Sequence, residues 1–167
     1  MEPMTTKKDN GNRGWVLDQL IMIGQYEAQL SHIDEKLNDL WEALSNETDN
    51  VDEMQRLTNV LSGLYEIGRG IYDARKQAED QVFAEFPEAD KTFWCLVKHA
   101  ATAFVIAEEN FHARGFSAEA EKTMLSAAEN LGKTVSLALG MDLYGCLRCL
   151  DEQMKGGGDA KTEIATL

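Results

Sequence analysis

Between Phe93 and Ala107, twelve of fifteen residues are apolar, and the exceptions are Lys98, His99 and Thr102. A helix that is apolar around its whole circumference is stable only when other protein surrounds it. The run falls short of the about 20 apolar residues that a membrane span requires. It therefore predicts a central, buried helix in a multi-helix protein. The run ends in a polar cluster, Glu108, Glu109, Asn110 and His112, which is a candidate functional edge.

The rest of the chain supplies helices to surround it. Val16, Leu20, Ile23, Tyr26, Leu30, Ile33, Leu37, Leu40 and Leu44 follow one another at spacings of three and four. That is a single apolar stripe on a helix of about 30 residues, starting at Trp15. Ser45 to Asn50 is a polar turn, and Asp49 or Asn50 is placed to cap the next helix. The second helix is expected from Val51 to Ala84, with Met54, Leu57, Leu61, Leu64, Ile67, Ile71, Ala74, Ala78 and Val82 as its stripe. Gly63, Gly68 and Gly70 lie inside it, and each costs about 1 kcal/mol relative to alanine. Because the stripe stays in phase across them, they are read as sites of close helix approach rather than as a kink.

Pro87 stops the second helix by Phe86, since a proline disfavours helical geometry in the residue before it. Asp90 is the expected N-cap of the third helix, Gly115 its stop and Ser117 the N-cap of the fourth. The fourth helix carries Met124, Ala128, Leu131, Val135 and Ala138, and Gly140 breaks or bends it before Leu143, Leu147, Leu150 and Met154. Phe104, Ala107, Phe111, Gly115, Ala120, Met124 and Ala127 resemble the spacing of a tetratricopeptide-type helical hairpin. The match occurs once, whereas such repeats need about three copies to be stable. It implies a tight hairpin of the third and fourth helices.

At 167 residues the chain is read as one domain: a flexible arm at 1–14, a helical bundle at 15–155 and a disordered tail at 156–167. The fold class is therefore all-α, a bundle of four principal helices with a long N-terminal antiparallel hairpin and a buried third helix. The N-terminus has no apolar leader, and three cysteines is an odd number. Together these predict reduced thiols and a cytoplasmic setting, that of a bacterial cell or a phage-infected host.

Charge is unevenly spread over the chain. Residues 15–90 hold 17 acidic and 5 basic side chains, net −12, whereas residues 91–155 hold 8 acidic and 7 basic, net −1. A surface of this sign argues against direct nucleic-acid binding, which needs cations for the phosphates. It suits a protein partner with a basic surface.

Candidate chemistry is sparse. Glu109 and His112 share a helix face, and helical bundles use this spacing to ligate metals. Such centres need the pair twice, with further glutamates from other helices. His99, inside the apolar run, is expected to be a neutral core histidine. Lys98 and Thr102 lie four apart on a stripe expected to reach solvent or a partner, the long Lys98 stem carrying its amine out of the core. Cys146 and Cys149 have a zinc-like spacing without a second pair and are read as buried thiols. Glu85-x-x-Glu88 resembles the Mg²⁺-binding pairs of the all-helical nucleotide pyrophosphohydrolases, but Pro87 lies within it and breaks the helical face. There is no phosphate-binding loop and no nucleophile elbow.

These features predict a non-enzymatic, cofactor-free accessory or inhibitor factor. Asp34, Glu35, Asp39, Glu42, Glu47, Asp49, Asp52 and Glu53 would engage a basic partner surface, as phage-encoded counter-defence proteins cover the nucleic-acid-binding site of their target. The first alternative is a metal-binding bundle enzyme or carrier using Glu109 and His112. The second is a structural homo-oligomer. The third helix is shorter than the first two, so homodimerisation through the uncovered end of the hairpin is expected.

Overall fold

The computed structural model describes residues 6–47 and 49–143, with side chains from Asn12 onward. Among these residues the protein is an all-α four-helix bundle. Helix α1 spans Thr6–Asn46, α2 Val51–Glu85, α3 Trp94–Ala113 and α4 Ala118–Leu139. A 3₁₀ turn, Lys91–Phe93, leads into α3. None of these helices is long and apolar enough to cross a membrane.

Local chemistry sets most of the boundaries. Asn50 is the N-cap of α2, its Oδ1 accepting the Glu53 N–H at 3.1 Å. Ser117 caps α4 by accepting from Ala120 N–H. Asp90 caps the 3₁₀ turn rather than α3 itself, taking hydrogen bonds from the Thr92 N–H and hydroxyl. These donors hold its carboxyl below the usual carboxylate range. Gly140 ends α4 in the left-handed conformation, φ 65°, that glycine adopts without steric cost. Helix four therefore stops at Leu139.

Two antiparallel hairpins, α1/α2 and α3/α4, are joined through α1 and α3. The junction depends on Gly24. A Cβ there would lie 2.6 Å from the Ala101 carbonyl oxygen, so only glycine lets the two backbones approach this closely. The glycines expected to do this do not. Gly63 and Gly70 have no neighbour within 4 Å, and Gly68 meets only the Ile33 side chain. The main core gathers at this end, around Val16, Leu20, Ile23, Val82, Val97, Phe104, Phe111, Met124, Leu131 and Val135. Asp90 N–H donates to the Ala138 carbonyl at 2.8 Å, tying the α2–α3 connection to the end of α4. Phe83 packs on Trp94 with ring centroids 4.7 Å apart.

The structure corrects several expectations. Helix α1 is already running at Thr6, nine residues before Trp15, so part of the expected arm is helical; once nucleated, a helix gains a hydrogen bond with each added residue and needs no apolar stripe to continue. Helix α3 is not enclosed: Leu96 is 51% exposed and Ile106 45%, and Cys95, His99 and Ala103 share that open side. Two neighbours, α1 and α4, cover only part of its circumference. His99 is accordingly a surface residue, bonded through Nδ1 to the Cys95 carbonyl at 2.8 Å. Ile67 is exposed too, the inward position there being taken by Gly68. Cys146, Cys149, Leu147, Leu150, Met154 and the tail at 156–167 lie outside the described residues.

Candidate functional site

Helix α1 has 41 residues, about 60 Å at 1.5 Å per residue, whereas α3 has 20, about 30 Å. The α3/α4 hairpin therefore leaves part of α1/α2 without a cover. The core records the boundary. No α1 residue beyond Ile23 and no α2 residue before Ala78 belongs to the main cluster. The open end has its own small cluster, Ile33, Leu37 and Leu61, all from α1 and α2, with Leu40, Leu64 and Ile71 half-buried around it.

An ionic knot marks where the cover ends. The Arg75 guanidinium binds Glu27 across the hairpin and lies 3.4 Å from Glu79, a separation that is ionic rather than a hydrogen bond. Lys98 enters from α3, its Nζ 3.7 Å from Glu27 and 3.8 Å from Glu79. The amine reaches neighbouring helices instead of solvent, because two carboxylates lie within reach of its stem. These four side chains retain between 13% and 26% of their exposure, and the knot bridges α1, α2 and α3.

Beyond the knot the two helices border a groove of about 540 Å³. Leu30, Leu37, Leu64 and Gly68 line it, with Glu27 and Asp34 on the α1 side and Arg69 and Arg75 on the α2 side. Tyr65 and Tyr72 contribute to the α2 wall, 50% and 48% exposed. Trp41, 47% exposed, donates its indole N–H to the Tyr65 hydroxyl at 3.3 Å. Arg75 sits over the Tyr72 ring, 4.7 Å from its centroid.

Of the acidic residues expected to form a binding surface, Asp34, Glu35, Asp39, Glu42, Asp49 and Asp52 are exposed, and Glu47 and Glu53 are half-buried. Only Asp34 lines the groove. Glu35, Asp39 and Glu42 follow at spacings of four and three, a separate exposed face of α1. Asp49, Asp52 and Glu53 lie at the turn between the helices. Glu53 is held by Arg56 through two hydrogen bonds, 2.6 and 2.7 Å, which lower its carboxyl below the usual range. Sequence spacing did not single out Trp41, Tyr65 and Tyr72, because each lies one position off the apolar stripe. That offset on successive turns was the available signal.

At the other end of α3, Glu109 and His112 are both exposed. His112 packs edge-on against Phe116, centroids 6.1 Å apart. Half-burial pushes the Glu108 carboxyl above its ordinary range; the His112 charge opposes this and the Glu109 charge adds to it. Among the described residues no group of three or more His, Cys, Asp or Glu side chains is placed to hold a metal ion. Of the glutamates on other helices that such a site could recruit, Glu66 is exposed on α2 and Glu27 is bound to Arg75.

A wider concavity of about 770 Å³ lies between α3 and α4. It contains Ala103, Ala107 and Ala127, and its charges, Glu119, Lys122, Glu129 and Lys133, are of both signs. Lys133 is paired to Glu129 at 2.7 Å. The groove at the open end of α1/α2 thus combines an apolar floor with aromatic walls, and its charges, Glu27, Asp34, Arg69 and Arg75, are likewise of both signs. Compared with known proteins, the chain matches no family model, no curated protein and no solved structure.

Proposed function

We propose that this protein is a non-enzymatic, cytoplasmic binding factor whose open α1/α2 hairpin holds a basic surface of a partner protein. The inhibitory form of this activity is to cover a partner's nucleic-acid-binding site. One observation carries the reading: the part of the hairpin that α3 and α4 leave uncovered presents exposed aromatic side chains within a net-acidic stretch. Residues 31–71 hold nine acidic and three basic side chains, net −6. Trp41, Tyr65 and Tyr72 stand half-exposed among them. Tyrosine and tryptophan are the side chains most enriched in the energetic centres of protein interfaces. Complementary charge speeds encounter and excludes partners of the wrong sign.

The test begins with an affinity pull-down from the native host. Affinity for the recovered protein is then measured across a salt series, with wild type and with the triple variant Glu35→Gln, Asp39→Asn, Glu42→Gln. These side chains are exposed, so the variant should fold normally. Affinity should fall steeply with salt, and the triple variant should bind about tenfold more weakly at low ionic strength. Binding that ignores both salt and the triple variant would overturn the reading.

A second reading, self-association through the same end, is supported by the exposed aromatic residues and opposed by the −6 carried by each copy. Light scattering at tens of micromolar separates the two. A dimer that tightens as salt rises supports self-association, and a monomer throughout removes it.

A further inference from the structure

The open side of α3 is apolar and uncharged. Cys95, Leu96, His99, Ala103 and Ile106 are exposed there, and none carries a carboxylate, an ammonium or a guanidinium. The chain itself arrives at one end of this side. Asp90, which caps the turn leading into α3, donates its N–H to the Ala138 carbonyl, so α4 ends beside the start of α3. Gly140 then turns the chain out of α4. Three residues later Leu143 is fully buried in the main core, in the same cluster as Trp94 and Val97. The chain beyond Leu143 therefore starts at the end of α3 that holds Cys95 and Leu96.

We propose that residues 144–154, which lie outside the described residues, are the cover of this open side, laid as an amphipathic helix along α3 from Leu96 to Ile106. Pattern, length and charge each select this occupant. Leu147, Leu150 and Met154 follow Leu143 at spacings of four, three and four, which is one apolar helix stripe. Leu96 and Ile106 are ten positions apart, as are Tyr144 and Met154, a helical rise of about 15 Å in both cases. Between Tyr144 and Lys155, Arg148 and Lys155 balance Asp151 and Glu152, so an uncharged face meets a segment of no net charge. Any separate protein must displace a segment whose tether holds it at a local concentration of about millimolar. The α1/α2 groove is a different surface: its lining starts at Glu27, whereas the core that holds Leu143 takes no α1 residue beyond Ile23. The inference is independent of the binding role proposed above.

Cys95 reports on the cover, because its thiol lies on the open side. The full chain is kept reduced and alkylated with iodoacetamide, and mass spectrometry of its peptides reads Cys95 apart from Cys146 and Cys149. The comparison is the full-length double variant Leu147→Asp, Leu150→Asp, checked for folding by circular dichroism. Cys95 should react about tenfold faster in the variant than in wild type, since in wild type the cover must lift before the thiol is reached. Equal rates in the two folded proteins would overturn the proposal. If the double variant does not fold, Leu96→Asp, at an exposed position of α3, should produce the same acceleration, and an unchanged rate would overturn the proposal. A wild-type rate that rises about tenfold when the protein is diluted to nanomolar would show the cover to be a second copy, and would overturn it as well.

Discussion

Single positions in this protein are decided by neighbours distant in the chain. Gly24 and Gly63 are both helical glycines, yet a Cβ at Gly24 meets the Ala101 carbonyl at 2.6 Å and one at Gly63 meets nothing. Gly24→Ala must push α1 from α3 and should cost about 1–3 kcal/mol in urea unfolding. Gly63→Ala should stabilise by about 0.5–1 kcal/mol through helix propensity alone. A similar cost for both substitutions would remove the close-approach argument. Glu108 has a pH signature. Half-burial raises its carboxyl above the ordinary 4.5, so the fold favours the protonated form. That contribution is fully present below 4.5 and is lost as pH rises through the folded value. Glu108→Gln should therefore raise the melting temperature at pH 7, with the difference shrinking toward pH 4. A difference that grows on acidification would reverse the assignment.

Among the elements, α3 departs furthest from its sequence pattern. Its composition demands enclosure, but α1 and α4 are its principal neighbours, and Leu96 and Ile106 stay exposed. What secures it across the hairpin is the knot of Glu27, Arg75, Glu79 and Lys98. Arg75→Met leaves Glu27 and Glu79 facing each other with only Lys98 between them. Removing one partner of a buried pair is costly, and the residual exposure here reduces the effect to on the order of 2 kcal/mol. Lys133→Met removes a pair in which both side chains are more than half exposed, and it should leave the unfolding midpoint essentially unchanged. Chemical denaturation of the two variants in parallel checks the contrast.

Across the molecule, stability and candidate function sit at opposite ends. The α3/α4 hairpin covers α1/α2 around Gly24, and the open end relies on the three-residue cluster of Ile33, Leu37 and Leu61. Amides of α1 beyond Leu37 and of α2 before Leu61 should exchange hydrogen faster than those flanking Gly24 and Ala101. Hydrogen exchange read by mass spectrometry measures this directly, and uniform protection would contradict the two-part description. A partner seated in the groove should slow exchange at the open end selectively.

Much of the fold was legible in the residues alone, because helical periodicity, caps and breakers act within a few positions. The stripe from Val16 to Leu44, the Asn50 and Ser117 caps, the stop before Pro87 and the acidity of residues 15–90 are all local properties. The tertiary structure alone decided which faces those helices spend on one another. Periodicity marks that a face is apolar but not how far a shorter neighbour reaches along it. For that reason His99 and Leu96 proved to be at the surface, Gly24 rather than Gly63 or Gly70 proved to be the contact glycine, and Tyr65 and Tyr72 came to line a groove that α3 and α4 do not cover, with Trp41 bonded to Tyr65.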